Sequence, residues 1–205
     1  YPRNENSMPG KFPGKVVQIN NSKSIIDTKI VYQAVYDMVA KGMLELTGAP
    51  TLKDAWKMFV NEKDRIGLKV NPVAGPTLST SIEVTQAIVK QLEDAGIPKE
   101  NILIWDRRAE QLTDAGFTDA NFPGIKIVGT EGPQNGSMYD SDGKLYGERM
   151  IDKNWYYLAD CEEKYDSATI PYMINEGKYS YFTKIATQMV DKIINVPILK
   201  NAGAT

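Results

Sequence analysis

Seven residues lie where predicted apolar strands give way to loops, and their types are suited to binding and proton transfer. In an open parallel sheet, ligands bind outside the carboxyl ends of the strands. Residues that immediately follow buried strands are therefore the first candidates for a site. The expected ligand-binding residues are Asn71, Gly75, Ser79, Thr80, Arg107 and Lys200, and the expected catalytic residue is Asp106.

These residue types favour a small anionic ligand. Gly75 lets the backbone approach a ligand closely, and Ser79 and Thr80 lie where a predicted helix begins, with its first N–H groups available to an anion. Arg107 carries a guanidinium group, which binds a phosphate or carboxylate through two hydrogen bonds. Whether the protein is an enzyme stays open. If it is one, Asp106 is the expected acid or base, because a carboxylate at a strand end is well placed for proton transfer.

The same residues also have a purely structural interpretation. Ser79 and Thr80 would then only cap the helix, Asn71 would brace the turn, and Arg107 would pair with a surface acid. Lys69 lies inside an apolar strand pattern, where it is either a site residue or a side chain that snorkels from an edge strand. The loop contains neither Gly-Lys-Ser/Thr nor Gly-x-Gly-x-x-Gly, so no nucleotide-binding fingerprint is present.

The histidine and cysteine content excludes several chemistries. The 205 residues contain no histidine and one cysteine, Cys161. His-dependent triads are therefore excluded, as are Cys-rich zinc sites and iron–sulfur clusters. We interpret Cys161 as inert, because its acidic neighbours disfavour the thiolate. A metal site could use only oxygen ligands such as Asp106 and Asp142, and we predict neither a metal site nor a cofactor.

Charge and hydropathy limit the expected partners. The net charge is −2, whereas nucleic-acid-binding domains are usually basic, so no nucleic-acid partner is expected. No apolar run approaches the roughly 20 residues that span a bilayer, so no membrane span is expected. The chain starts at Tyr1 rather than at Met, as it would after removal of a signal peptide. We leave the localisation open and favour export slightly over the cytoplasm.

Strand and helix patterns alternate along most of the chain. This alternation predicts an α/β fold with a mainly parallel open sheet and helices on both faces. The predicted strands are residues 15–19, 66–70, 102–105, 125–128 and 192–197. The predicted helices cover residues 28–47, 80–95 and 109–115, with a further helix that starts at residue 51.

The domain organisation follows from where this alternation holds. We expect residues 1–14 to form an extended arm and residues 15–205 to form a single α/β domain. An irregular, aromatic-rich insertion is expected at 130–182, with a hairpin that turns at Asp142-Gly143. This hairpin does not match a calcium-binding EF-hand loop, whose first and twelfth positions would be Met138 and Arg149. The chain ends soon after a predicted strand, so we expect the domain to continue beyond residue 205 in the full protein.

Several motifs together resemble the uncharacterised prokaryotic family known as domain of unknown function 362. The resemblance covers about residues 13–205 and rests on the order and spacing of the motifs. They are Pro13-Gly-Lys-Val-Val17, Gly67-Leu-Lys-Val-Asn-Pro-Val-Ala-Gly-Pro76 with Ser79-Thr-Ser81, Ala95-Gly-Ile-Pro98 with Asn101-Ile-Leu-Ile-Trp-Asp-Arg107, and Thr183-Lys-Ile185 with Val190-Asp-Lys-Ile-Ile-Asn-Val-Pro-Ile-Leu-Lys200.

The resemblance implies a fold rather than an activity, because the family has no agreed function. Members of the family are longer than this chain, and some carry a ferredoxin-like iron–sulfur module or a twin-arginine export signal. A histidine commonly follows the Leu-Lys pair in the family, but this chain has Asn201-Ala202 there. Histidine-dependent chemistry is therefore not carried over.

The alternative function is that of a structural or partner-binding subunit, processed from a longer chain, in a larger assembly without catalysis. The missing histidines, the aromatic insertion and the last predicted strand favour it. An uncovered strand edge can pair with another chain. The expected partner is therefore either a small anion or a protein, which includes a second copy of the chain or its missing C-terminal segment.

Overall fold

The computed structural model describes residues 10–131, 149–158 and 179–200. The chain divides into two compact units, Tyr1–Lys63 with Ser81–Pro98, and Asp64–Thr80 with Lys99–Thr205. The predicted hairpin at Asp142-Gly143, Cys161 and most of the predicted N-terminal arm lie outside the described residues. No helix in the described ranges is long and apolar enough to cross a membrane.

Among its described residues, the first unit contains a small hairpin and three helices. The elements are β1 (Ile25–Ile26), β2 (Lys29–Ile30), α1 (Tyr32–Thr47), α2 (Leu52–Lys57) and α3 (Ile82–Ala95). Thr51 caps α2 by accepting a hydrogen bond from the Asp54 backbone N–H at 3.1 Å, so the helix itself begins one residue after the predicted start. α1 and α3 end at residues 47 and 95, as predicted, and Gly48 and Gly96 after them have the left-handed conformation.

Two predictions for the first unit are wrong. The predicted helix start at residue 28 is instead the turn of the β1–β2 hairpin, where Asp27 and Thr28 have φ angles of 48° and 66°. Two successive positive φ angles are the geometry of a tight hairpin turn, and aspartate is common both in turns and at helix starts.

The predicted strand at residues 15–19 is an extended segment without strand partners. The Lys15 ammonium donates to the carbonyl oxygens of Glu45 and Leu46 at 2.5 and 2.8 Å, close to the end of α1. Ile19 lies beside Gly42 of the same helix. The alternation of Val17 and Ile19 with polar residues therefore reflects packing on a helix and not pairing with a strand.

In its described part, the second unit is built around a four-stranded parallel sheet, which confirms the predicted α/β fold. Its elements in chain order are β3 (Ile66–Lys69), β4 (Ile102–Arg108), α4 (Ala109–Asp114), β5 (Lys126–Glu131), β6 (Ile151–Leu158), β7 (Tyr179–Thr183) and β8 (Lys192–Asn195). The order of the parallel strands is β5-β4-β3-β8. β3 is therefore flanked on both sides, and its alternate residues Ile66 and Leu68 are fully buried.

Two glycines allow close packing around β4. Gly67 lies beneath Trp105, and a Cβ atom at this position would be 3.0 Å from the indole Nε1. Gly129 in β5 is paired with Asp106, and a Cβ atom there would be 2.4 Å from the backbone nitrogen of Ala109. Any larger residue at Gly129 would push α4 away from the sheet, because real Cβ atoms do not approach so closely.

The described ends of the predicted insertion are regular. β6 and β7 form an antiparallel pair with a register irregularity between Ile151 and Tyr156. One turn of π-helix, Ile185–Met189, follows β7. Asp152 in β6 accepts hydrogen bonds from the Thr187 hydroxyl at 2.7 Å and from the Gln188 amide at 3.0 Å. These bonds hold the pKa of Asp152 below its usual value, and the bond from Thr187 has the largest effect.

Arg65 and Asp191 fasten the amino ends of β3 and β8 to each other. The Arg65 guanidinium donates to both carboxylate oxygens of Asp191 at 3.0 and 2.7 Å. The Arg65 backbone N–H also donates to Asp191 at 2.8 Å. Together these bonds lower the pKa of Asp191 to about 2. The side-chain bonds from Arg65 have the larger effect and the backbone bond the smaller one.

This clamp predicts a loss of stability in acid. A carboxyl group whose pKa is lowered by folding stabilises the protein above its unfolded pKa, and this contribution disappears as the pH falls towards the folded pKa. We expect Asp191→Asn to lower the Tm at pH 6, since the ion pair is lost. The decrease should be only roughly 2 °C, because the pair is exposed to solvent. The difference from wild type should disappear between pH 4 and pH 2 in thermal unfolding scans. Asp114→Asn, at an exposed helix position, is the control, and an unchanged Asp191→Asn difference at pH 2 would contradict the assignment.

Candidate functional site

Lys69 and Asp106 form an ion pair at the carboxyl ends of β3 and β4. The Lys69 ammonium contacts Asp106 Oδ1, donates to the Val70 carbonyl oxygen at 2.9 Å and lies 5.6 Å from the centre of the Trp105 ring. Asp106 is buried, with 5% of its surface exposed. Because β3 is flanked on both sides, Lys69 does not snorkel from an edge strand. It belongs to the candidate site.

Lys200 reaches the loop that follows β3. Its ammonium donates to the Asn71 side-chain oxygen at 2.7 Å and to the Val73 carbonyl oxygen at 2.5 Å. The parallel pairing of β3 with β8 makes this contact possible, because it directs both chains towards the same edge of the sheet. The structure therefore brings together Asn71 and Lys200, two residues that the sequence predicted as ligand-binding.

Thr80 joins the loop after β3 to the end of β8. Its hydroxyl donates to the Val196 carbonyl oxygen at 2.6 Å and accepts from the Asn71 backbone N–H at 2.9 Å. The prediction that Thr80 caps the following helix is wrong, because the cap is Ser81, whose side chain accepts from the Val84 backbone N–H. Both oxygen-bearing residues suit a helix cap, so the sequence did not distinguish between them.

Ser79 and Gly75 interact within the loop itself. The Ser79 hydroxyl donates to the Gly75 carbonyl oxygen at 2.5 Å, and Ser79 is buried. Ala74 and Gly75 both have positive φ angles, of 77° and 72°. These two consecutive left-handed residues turn the chain sharply, and the Ser79 bond holds the turn closed.

Arg107 lies away from this arrangement. Its guanidinium donates to Glu131 of β5 at 2.8 Å, and 64% of its side chain is exposed. β4 extends through Arg108, whereas the sequence pattern predicted an end before Asp106. Successive side chains of a strand point to opposite faces of the sheet, so Asp106 and Arg107 diverge. The pairing of Arg107 with a surface acid matches the structural interpretation of this residue.

The cations of the site are therefore Lys69 and Lys200. Lys69 is unusual inside an apolar strand pattern, but it was not among the expected site residues. In the described ranges, no group of three or more His, Cys, Asp or Glu side chains is placed to hold a metal ion. The arrangement consists of two ammonium groups, one buried carboxylate and the Asn71 amide, which can bind an anion and exchange protons with it.

Comparisons with protein-family models, with curated proteins and with solved structures found no match to this chain. The resemblance to domain of unknown function 362 therefore stays a prediction. A proposal about what the site does therefore rests on the geometry of its own residues.

The Thr80 hydroxyl gives a test of how this edge of the sheet is held together. Thr80→Val preserves the shape of the side chain but leaves the Asn71 N–H and the Val196 carbonyl without their partner. We expect this variant to lose about 1–3 kcal/mol of unfolding free energy in urea, because buried polar groups without a partner are costly. Thr80→Ser keeps the hydroxyl and is the matched control, with an expected loss of about 1 kcal/mol for the missing methyl group. Equal losses for the two variants would show that the hydrogen bonds are not important.

Proposed function

We propose that this protein binds a small anion at the carboxyl ends of β3, β4 and β8. The observation that supports it is the convergence of Lys69 and Lys200 on one short stretch of backbone. Lys69 donates to Val70, and Lys200 donates to Asn71 and Val73. Both ammonium groups thus bond to residues 70–73, and an anion that accepts hydrogen bonds from both would be attracted by two positive charges.

The hydrogen bonds of the two lysines leave room for a ligand. An ammonium group has three N–H donors. Within the described residues, Lys69 uses two of them, on Val70 and Asp106, and Lys200 uses two, on Asn71 and Val73. One donor on each lysine is therefore available. Asp106 neutralises one of the two positive charges, so the three groups together carry a net charge of +1.

Part of the site is shielded from water. The side chain of Lys69 is 31% exposed and that of Asp106 is 7% exposed, whereas lysine is usually among the most exposed residues. Charge-assisted hydrogen bonds are stronger where water is partly excluded. In this proposal Asp106 is also the group that would accept or donate a proton, because it is the buried carboxylate at this edge.

Isothermal titration with inorganic phosphate, sulfate and L-malate tests the proposal. Lys200→Gln should weaken the binding of whichever of these anions binds by at least tenfold, because a hydrogen bond to a charged group contributes about 1.5–3 kcal/mol. Lys126→Gln is the matched control, because Lys126 is exposed at the amino end of β5 in the same sheet. It should bind as wild type does. Equal affinities of the wild type and Lys200→Gln would contradict the proposal, as would a lack of binding to all three anions.

A second candidate function is the binding of a protein partner through β8. Among the described strands, β8 is at the edge of the sheet, and Ile193 is 47% exposed. An edge strand with an exposed apolar residue can pair with a strand of another chain. Light scattering tests self-association through β8. The wild-type protein should have a mass above that of one chain, and Ile193→Lys should reduce this mass to that of one chain. A monomeric wild type would contradict self-association.

A further inference from the structure

The described part of the first unit contains an apolar cavity that the proposed anion site does not use. The cavity has a volume of about 440 Å³ and lies among the extended segment at 15–19, the β1–β2 hairpin, α1 and α3. Small-molecule sites usually measure about 300–1,000 Å³ and are lined mainly by apolar side chains. The cavity therefore has the size of a ligand site.

Gly42 keeps one wall of the cavity free of a side chain. It lies inside α1, where glycine is the least favourable residue after proline. Its φ angle is not among the positive ones. A Cβ atom here would have only Ile19 within 4 Å outside its own helix, at the ordinary contact distance of 3.7 Å. Neither the backbone conformation nor close packing requires glycine at this position, and the missing side chain instead leaves space in the cavity.

The hairpin leaves the cavity open to solvent. Ile25 and Ile30 lie opposite each other in the register of β1 and β2, and both line the cavity. They are nevertheless 60% and 39% exposed. A ligand can therefore enter beside the hairpin. By covering these two residues it removes apolar surface from water, and this favours binding.

The lining of the cavity is aliphatic and uncharged. Eight of its eleven residues are valine, isoleucine or methionine, and the other three are Ser24, Gly42 and Ser81. An ionised group that enters such surroundings loses its hydration without gaining a charged partner from the lining, which is costly. An uncharged aliphatic chain matches the lining without this cost.

The two serine hydroxyls select the polar group that can accompany such a chain. Ser24 Oγ donates to the Asn21 carbonyl oxygen at 2.8 Å, and Ser81 Oγ donates to Glu83 Oε2 at 2.7 Å. A hydroxyl group has one proton to donate and two lone pairs that accept. Both hydroxyls therefore meet a ligand as acceptors. A carboxylate has no proton to donate to them and is repelled by Glu83 beside Ser81, whereas a ligand hydroxyl can donate.

We propose that this cavity binds a small uncharged aliphatic molecule with a hydroxyl group, that is, an aliphatic alcohol. Its chain packs against the aliphatic lining, and its hydroxyl group donates to the oxygen of Ser24 or Ser81. The residues of the proposed anion site do not line this cavity. Either assignment can therefore fail without the other.

Ligands of equal chain length test the inference on the wild-type protein. n-Octanol, octanoate and n-octylammonium have the same number of carbon atoms and differ in the charge of the head group. In isothermal titration we expect saturable binding of n-octanol and at least about tenfold weaker binding of the two ions, because the lining does not compensate their lost hydration. n-Hexanol is two methylene groups shorter and should bind roughly tenfold more weakly than n-octanol, because each buried methylene group strengthens binding severalfold.

Gly42→Leu and Gly42→Ala distinguish binding in the cavity from binding elsewhere. Both variants replace glycine with a better helix former, but the leucine side chain fills far more of the cavity. We expect Gly42→Leu to weaken n-octanol binding at least about tenfold, and Gly42→Ala, the matched control, to weaken it less than about threefold. Equal affinities of the wild type and Gly42→Leu would contradict the assignment.

Backbone amide signals in nuclear magnetic resonance spectra locate the ligand on the wild-type protein. n-Octanol should shift the signals of Gly42 and Ser24, which line the cavity, and leave the signal of Gly124 in the second unit unchanged. If Gly42→Leu fails to fold, this measurement decides where n-octanol binds.

Three results would overturn the inference. If n-octanol does not bind, or shifts only signals of residues outside the lining, the cavity is not a site for an aliphatic alcohol. If octanoate or n-octylammonium binds as tightly as n-octanol, the ligand is not selected for lack of charge. If n-octanol does not bind and Ile25→Lys converts a dimer into a monomer in light scattering, a second copy of the chain covers the cavity instead.

Discussion

The parallel pairing of β3 with β8 is the constraint on which the rest of the second unit depends. The two strands are far apart in sequence, so their association closes a long loop at an entropic cost. The Arg65–Asp191 clamp holds their amino ends, and the hydroxyl of Thr80, which donates to Val196, holds their carboxyl ends. With both ends held, Lys200 lies within hydrogen-bond distance of Asn71.

The candidate site follows from this pairing and from the neighbouring strand. β4 supplies a buried carboxylate, Asp106, and β3 supplies the lysine that pairs with it. Lys200 adds a second ammonium group from the segment after β8. Each lysine also donates to backbone carbonyl groups, so the positions of both depend on the shape of the loop after β3. If the proposed anion binds there, its cations are already held in place, which lowers the cost of ordering them.

The sequence predicted the sheet well and named part of the candidate site. Continuous apolar runs identified β3 and β4, and the rule that ligands bind at strand ends selected Asn71 and Lys200, which lie in contact with each other. The Lys69–Asp106 pair was not predicted, because it depends on which strands are neighbours, and this is a long-range property. Arg107 was placed in the expected site because the pattern ended β4 too early. The helix start predicted at residue 28 is wrong because the residue before it, Asp27, suits a helix cap and a hairpin turn equally.

The central claim is that Lys69 and Lys200 together hold an anion at the carboxyl ends of β3 and β8. A crystal structure of the protein grown with selenate tests it most directly, because selenium is located by its anomalous scattering. We expect an anomalous peak for a selenate ion whose oxygens lie within hydrogen-bond distance of both lysine ammonium groups. Selenate bound elsewhere, with the Lys69–Asp106 and Lys200–Asn71 contacts unchanged and nothing between them, would contradict it.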